Sequence, residues 1–247
     1  MNRDLLKERK VHGNTVFPFV IYPIDIYKCN TVLDCHWHYE LEFLLVTKGK
    51  ATFQVGTQYY EVSTGEALFI NSGELHAGFS IYNNDCSFTA LVFNPNMLYN
   101  GNIYDPIQSK FIEPIMNKQF KLLVHIKSIL VHEKKILKYI NEIITAEQNK
   151  TFTFELTVKA NLYNIFCLML DNTELIKHND NYSQDNYKIE RIKKIMEYIY
   201  ENYNRKISIK EISAKFNMSE GHFSELSSLA GATSEAEREV YRPSSLL

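Results

Sequence analysis

The sequence predicts an α+β chain in three stretches: an antiparallel β sandwich or barrel, a pair of long helices, and a compact all-helical unit. Three observations predict it. Residues 14–94 hold short runs rich in Val, Ile, Phe, Tyr and Thr, punctuated by Gly, Asn and Ser, with no helical pattern between them. After about residue 110 the apolar period changes from that of strands to that of helices. Near the C-terminal end, Ser208-Ile209-Lys210-Glu211 has the form of a capping box, which opens a helix.

Each element follows from its residues. Thr52-Phe53-Gln54-Val55 alternates polar and apolar, as a half-buried strand does, and Gly49-Lys50, Gly56-Thr57 and Thr64-Gly65 are turn signals between runs. Over Lys121–Gln148 the spacing of Leu122, Ile126, Ile129, Leu130, Ile136, Tyr139, Ile140, Ile143 and Ile144 predicts a helix. A second helix is predicted over Phe154–Leu170, with Leu156, Ala160, Tyr163, Phe166, Cys167 and Leu170 on one stripe. These helices either pack on the sheet or form a dimer seam, and the pattern by itself does not separate the two. Residues 172–186 are rich in Asn and Asp and read as a linker. From Lys188 on, Ile189, Ile192, Ile195, Met196, Ile199 and Tyr203 make one apolar stripe. The helix opening at Ile209 would bury Ile209, Ile212 and Phe216. Asn217-Met218 breaks it, and Ser219 is an N-cap for a third helix carrying Phe223 and Leu226 inward. Two short helices joined by so tight a turn are a helix-turn-helix pattern.

Composition excludes several classes. The chain has 247 residues, is 45% hydrophobic and 23% charged, and so has the apolar content for at least one good core. The start, Met1 to Lys10, has no apolar core of a signal peptide, and no run approaches the roughly 18 residues of a membrane span, so a cytoplasmic protein without membrane contact is expected. Cys29, Cys35, Cys86 and Cys167 form no CxxC pair and read as free thiols. Net charge is −2, so any nucleic-acid surface must gather its basic residues locally. Residues 188–224 do so, with eight Lys and Arg against five Glu. Arg191, Lys193, Lys194, Arg205, Lys206, Lys210 and Lys215 are candidates to meet phosphates.

The densest chemistry lies in His36-Trp37-His38-Tyr39-Glu40-Leu41-Glu42. On a continuous strand His36, His38 and Glu42 share one face, and Trp37, Tyr39, Leu41 and Phe43 take the other. Ionisable groups facing a barrel interior are tolerable when they pair, hold a metal, or line a wet ligand pocket.

This segment resembles the first motif of the cupin family: His36, His38, Glu42 and Gly49 fall in its spacing. Gly65, Gly73 and His76 fit the second motif, while Asn71 stands where the family usually has Pro and Ser80 where it often has Asn. The resemblance implies a jelly-roll-like barrel and, in enzymatic cupins, a metal held by His36, His38, Glu42 and His76. Three imidazoles and a carboxylate suit iron, manganese, zinc or nickel. The alternative is a polar pocket floor with no metal and no other cofactor, and this is the expected state.

Phe17-Pro18-Phe19 before the barrel and Ile207 to Ser224 after it extend the resemblance to the AraC/XylS family of transcription regulators. That resemblance implies a non-enzymatic chain with an N-terminal arm and ligand-sensing cupin barrel (1–115), helices for dimerisation and linking (116–182), and an all-helical DNA-binding unit (183–247). It implies a small-molecule effector, a sugar by analogy, bound by His36, His38, Glu42, His76, Phe17 and Tyr22. It implies double-stranded DNA contacted by Ser219, Glu220, His222, Ser224, Lys210 and Arg205, in a homodimer. After Ser224 the sequence leaves the family pattern. The stretch 225–247 holds four Glu and two Arg and none of the family's paired lysines, so this stretch is expected to lack the second helix-turn-helix and to bind DNA poorly.

Overall fold

The structure, a computed structural model, describes residues 6–8, 10–82, 84–99 and 105–173, and then residues 191, 192, 194, 195, 198, 199, 202, 205, 207–221 and 223. The chain divides into two compact units: residues 9–34 with 38–177, and residues 1–8 and 35–37 with 178–247.

The larger unit is built on eight strands: β1 (Phe19–Ile26), β2 (Thr31–His36), β3 (Leu41–Val55), β4 (Gln58–Ser63), β5 (Ala67–Ile70), β6 (His76–Ser80), β7 (Cys86–Phe93) and β8 (His125–Ile126). The 15-residue β3 is the spine. Its first half pairs antiparallel with β7 and β5, and its second half with β4 and β6. Beyond these lie β1 on β7, β8 on β5, and β2 on β6. A register shift between Val46 and Lys48 divides the two halves. The extra residue inverts side-chain parity along the strand. Before it Leu44 and Val46 face the same apolar cluster that Ala51, Phe53 and Val55 face after it. Gly49 completes the bend. Its φ is +75°, and a Cβ there would stand 2.2 Å from the Asp85 carbonyl oxygen, so a side chain is excluded on two grounds.

Two cores result. The inner one joins Val32, Leu44, Val46, Phe53, Val62, Leu68, Ile70 and Phe88 between the halves of the folded sheet. The outer one joins the opposite face of the sheet, Phe19, Leu41, Phe43, Leu45, Phe69, Leu91 and Phe93, to the helices. Those are α2 (Val131–Gln148) and α3 (Phe154–Asp171), which follow the short α1 (Glu113–Met116). Ile136, Ile140, Ile143, Val158, Leu162 and Ile165 are fully buried in this layer. At about 1.5–3 kcal/mol for each large apolar side chain, it is a main source of stability.

The helices correct the sequence reading at two points. The helix expected from Lys121 begins at Val131. Ile126 instead pairs with Ala67 in β8, Ser128 has φ +64°, and the Glu133 carboxylate accepts from the Ile129 and Leu130 amides at 2.8 Å each, capping α2. Ile129 and Leu130 are therefore exposed rather than on a buried stripe. In α3 the buried face is Val158, Leu162, Ile165, Phe166 and Met169, while Leu156, Ala160 and Cys167 face solvent. Both readings were periodic, and the phase is set by which face meets Phe43, Phe69 and Phe93.

In the smaller unit Trp37 donates to the Leu6 carbonyl at 2.7 Å and accepts from the Glu8 amide at 2.9 Å. Helical residues at 191, 192, 194, 195, 198 and 199 precede α4 (Ile209–Lys215). α4 starts where the capping box placed it, with Ser208 Oγ accepting from the Glu211 amide at 3.2 Å. Asn217, at φ +48°, ends it, and Glu220, Gly221 and Phe223 are again helical, with Phe223 buried. Ile192, Ile195 and Ile212 are buried as expected, and Ile209 and Phe216 are half-buried. The linker over 172–186 lies mostly, and Ile189, Met196, Tyr203, Leu226 and the stretch 225–247 entirely, outside the described residues.

Candidate functional site

Of the sequence-selected residues, His38, Glu42 and His76 meet on the inner side of the larger unit. Glu42 has the parity of Leu44 and Val46 and so points inward from β3, as the sequence reading required. His38 arrives differently. β2 ends at His36 and β3 begins at Leu41, so His38 lies in the connection rather than on a continuous strand. Its position is fixed by the turn at Gly73, whose amide donates to the His38 carbonyl at 2.8 Å. His76 begins β6 opposite Val55 and shares the parity of Gly78, whose missing Cβ makes room for Phe53 and Val32 of the inner core. The three side chains are 1–3% exposed.

Glu42 Oε2 lies 3.1 Å from His38 Nε2 and 3.5 Å from His76 Nε2. Each imidazole is oriented from behind, by Nδ1 against the Glu40 carbonyl at 3.1 Å in His38 and the Glu74 carbonyl at 2.9 Å in His76. A carbonyl only accepts, so Nδ1 carries the hydrogen in both rings and Nε2 is the atom turned toward the carboxylate. Burial by itself raises the Glu42 carboxyl, but hydrogen bonds from His38 and His76 and their positive charge outweigh it and hold the group well below the usual carboxylate range.

The donor set fits a divalent metal. Bonds of about 2.1 Å at tetrahedral or octahedral angles place ligand atoms about 3.0–3.4 Å apart, close to the two separations at Glu42 Oε2, and a metal-bound imidazole characteristically donates its second N–H to a carbonyl. His38, Glu42 and His76 would hold such an ion, which would act as a Lewis acid toward a bound oxygen.

One neighbour was missed by the sequence reading. His12, from the segment before β1, is 4% exposed, with its ring centroid 5.6 Å from that of His38. Its Nδ1 lies 3.2 Å from the Tyr22 hydroxyl, and Lys10 Nζ lies 3.7 Å above the Tyr22 ring. Tyr22 is thus in contact with the cluster's neighbour His12. Phe17 is placed otherwise: its ring packs on Phe19 and Phe154 at 5.9 and 6.0 Å, in the outer core. His36 closes β2, and its Nε2 lies 3.6 Å from a Glu8 carboxylate oxygen. The only sequence signal for His12 was a histidine in the turn-forming His12-Gly13-Asn14 ahead of the first strand.

Of the residues assigned to DNA, Lys210, Ser219 and Glu220 are exposed. His222 and Ser224 lie outside the described residues. Arg205 is engaged within the unit: its guanidinium donates to both Glu211 oxygens at 2.9 and 2.5 Å and to the Tyr198 hydroxyl at 2.9 Å. The hydrogen bond to Glu211 drives the Arg205 pKa upward, and that from Arg205 drives the Glu211 carboxyl downward. Arg191 donates to the Phe216 carbonyl and, at 3.0 Å, to that of Asn217, holding the turn after α4.

A folded antiparallel sheet with a helical outer layer and an inward His–Glu cluster defines a cupin-like domain. The chain belongs to the family that carries the AraC-like ligand binding domain, whose pattern matches residues 20–166. It is 28% identical over 217 residues to the uncharacterized HTH-type transcriptional regulator YdeC of Bacillus subtilis (strain 168), covering 84% of this chain and 69% of that protein. Among solved structures it overlaps ToxT from Vibrio cholerae, with 11% identity and TM-score 0.42, over 90% of this chain and 78% of that one. An oxalate decarboxylase variant of Bacillus subtilis overlaps with 15% identity and TM-score 0.29, over 31% of this chain and 21% of the decarboxylase. Among the described residues no helix is long and apolar enough to cross a membrane.

Proposed function

We propose that this chain is a ligand-responsive transcription regulator, in which a small metabolite held on the inner side of the cupin-like domain controls how the helical unit meets promoter DNA. The observation that carries the reading is the buried His38–Glu42–His76 cluster inside a domain of the AraC-like ligand-binding family. A buried set of a carboxylate and two imidazoles, all turned to one point, recognises hydroxyl or carboxyl groups by hydrogen bonding. A sugar is the proposed effector, by analogy with the family, with Tyr22 and His12 flanking it. The proposed division is a sensor over 1–115, helices over 116–182 and a helix-turn-helix unit over 183–247, in a cytoplasmic homodimer without enzymatic turnover. The exposed Leu156, Ala160 and Cys167 stripe of α3 and the fully exposed Phe152 support the dimer. On α4 and the helix after it, Lys210, Ser219 and Glu220 are the proposed DNA contacts, joined by His222 and Ser224. Arg205 would contribute after release from Glu211.

The test is a thermal-shift screen of sugars and their acids, followed by gel shifts at two salt concentrations with and without each hit. A ligand at 100 times its Kd stabilises by about 2.7 kcal/mol, which a melting curve resolves. A hit that changes promoter binding supports the reading, and hits that leave it unchanged point to a ligand-binding module that no longer reads DNA.

A second reading is favoured by the ligand-atom separations at Glu42: a metal-dependent cupin enzyme using His36, His38, Glu42 and His76. Near-stoichiometric iron, manganese, zinc or nickel in the purified protein would promote it over the regulator.

A further inference from the structure

Asn71 departs from the cupin pattern, which usually has Pro at that position, and the structure gives its side chain a task that a prolyl ring lacks. Its Nδ2 donates to the Ile115 carbonyl of α1 at 2.8 Å, while its Oδ1 accepts from the Ser72 amide at 2.8 Å. Three residues further on, Glu74 forms an ion pair with Lys118, just past the end of α1, with both side chains largely buried. The same short loop carries the cluster. The Glu74 carbonyl orients His76 through Nδ1, the Gly73 amide holds the His38 carbonyl, and His76 follows directly in β6. Loop 71–76 therefore touches two of the three cluster residues through its backbone and α1 through its side chains. α1 in turn lies in the segment that runs through β8 into α2 and the helical layer.

We propose that loop 71–76 couples the cluster to the helical layer, with Asn71 and Glu74 as positioning residues that transmit the state of the His38–Glu42–His76 site to α1. The proposal rests on reading that cluster as the ligand site, and it names how occupancy leaves it. A shift of the His76 ring pulls on the Glu74 backbone. The Asn71 and Lys118 links then pass the displacement to Ile115, which is fully buried in the outer core with α2 and α3. A coupling claim of this kind stands or falls on non-additivity between the two ends.

The experiment is hydrogen–deuterium exchange of the full chain, read at the Asn117, Lys118 and Gln119 amides, which bond to the Glu113, Ile115 and Pro114 carbonyls of α1. The site is perturbed by E42Q, in the wild-type background and in N71A/K118M. H38Q serves as the second site variant should E42Q fail to fold. The expected result is that the site variant speeds exchange at these three amides about five- to tenfold in the wild-type background and less than twofold without the latch, the non-additivity expected of coupled neighbours. Equal acceleration in both backgrounds, or none in either, overturns the proposal. The outcome needs no effector, so a failed ligand screen sinks the regulator reading and leaves this measurement standing.

Discussion

Replacing Glu42 with Gln tests the centre of the site, and its cost can be worked from the contacts. The carboxylate is hydrogen-bonded to His38 Nε2 at 3.1 Å, and His76 Nε2 stands 3.5 Å from the same oxygen as an ion-pair contact. A hydrogen bond to a charged group contributes about 1.5–3 kcal/mol net. Counting the shorter contact fully and the longer as roughly half, and keeping the oxygen that Gln retains, E42Q should cost about 2–4 kcal/mol. For a unit of this size, at about 2–4 °C per kcal/mol, Tm falls by about 5–15 °C. The sign with pH is fixed by the direction of the shift. The folded carboxyl titrates below its ordinary value of 4.5, so its contribution is fully present above 4.5 and is lost as pH falls toward the folded pKa. The gap between wild type and E42Q should therefore be open above about 4.5 and should close as pH drops below that value. Differential scanning calorimetry of both proteins in EDTA, from pH 7 to pH 3.5, checks this. A gap below about 1 kcal/mol at pH 7, or one that does not change with pH, would show that Glu42 is not stabilised by the two imidazoles.

Three further outcomes follow from the fold. Gly49→Ala combines a left-handed φ with a Cβ driven into the Asp85 carbonyl, and should cost about 1–3 kcal/mol or more by urea titration, whereas Gly65→Ala, which meets no atom, should cost less. Ile140→Ala empties a fully buried site between α2 and the sheet and should cost about 2–5 kcal/mol; a value under 1 kcal/mol would mean that the helices are not docked as described. If the helical unit meets DNA, Lys210→Ala should reduce the slope of log affinity against log salt by about 0.9 in a gel-shift series. Arg205→Ala, its charge already engaged by Glu211, should change that slope by less.

How much was legible from the sequence varied along the chain. The strands of 14–94 and the start of α4 were readable because their signals are local: alternation, turn residues, and a serine three residues ahead of a glutamate. Glu42 was placed on the inner face correctly, since parity along β3 holds from Leu41 to Val46. His38 was found for the wrong reason, because the strand stops at His36 and a turn from Gly73 supplies the geometry that alternation was assumed to supply. The α3 stripe was split, with Phe166, Tyr163 and Leu170 on the core side and Leu156, Ala160 and Cys167 exposed, since a helix of 18 residues with apolar side chains on several faces does not state which face a sheet will cover.

By itself the sequence determined the class of fold, its division into β and helical stretches, and the histidine and glutamate types that make the site, because these follow from periodicity and residue chemistry within short windows. The tertiary structure alone decided that Ile126 joins the sheet instead of a helix, that His12 reaches His38, that Arg205 is held by Glu211, and that Asn71 ties the site's loop to α1. Each of these is a contact in which one partner's choice depends on where a distant segment of chain has been placed. No local window contains that information, since it arises only when burial has brought the segments together.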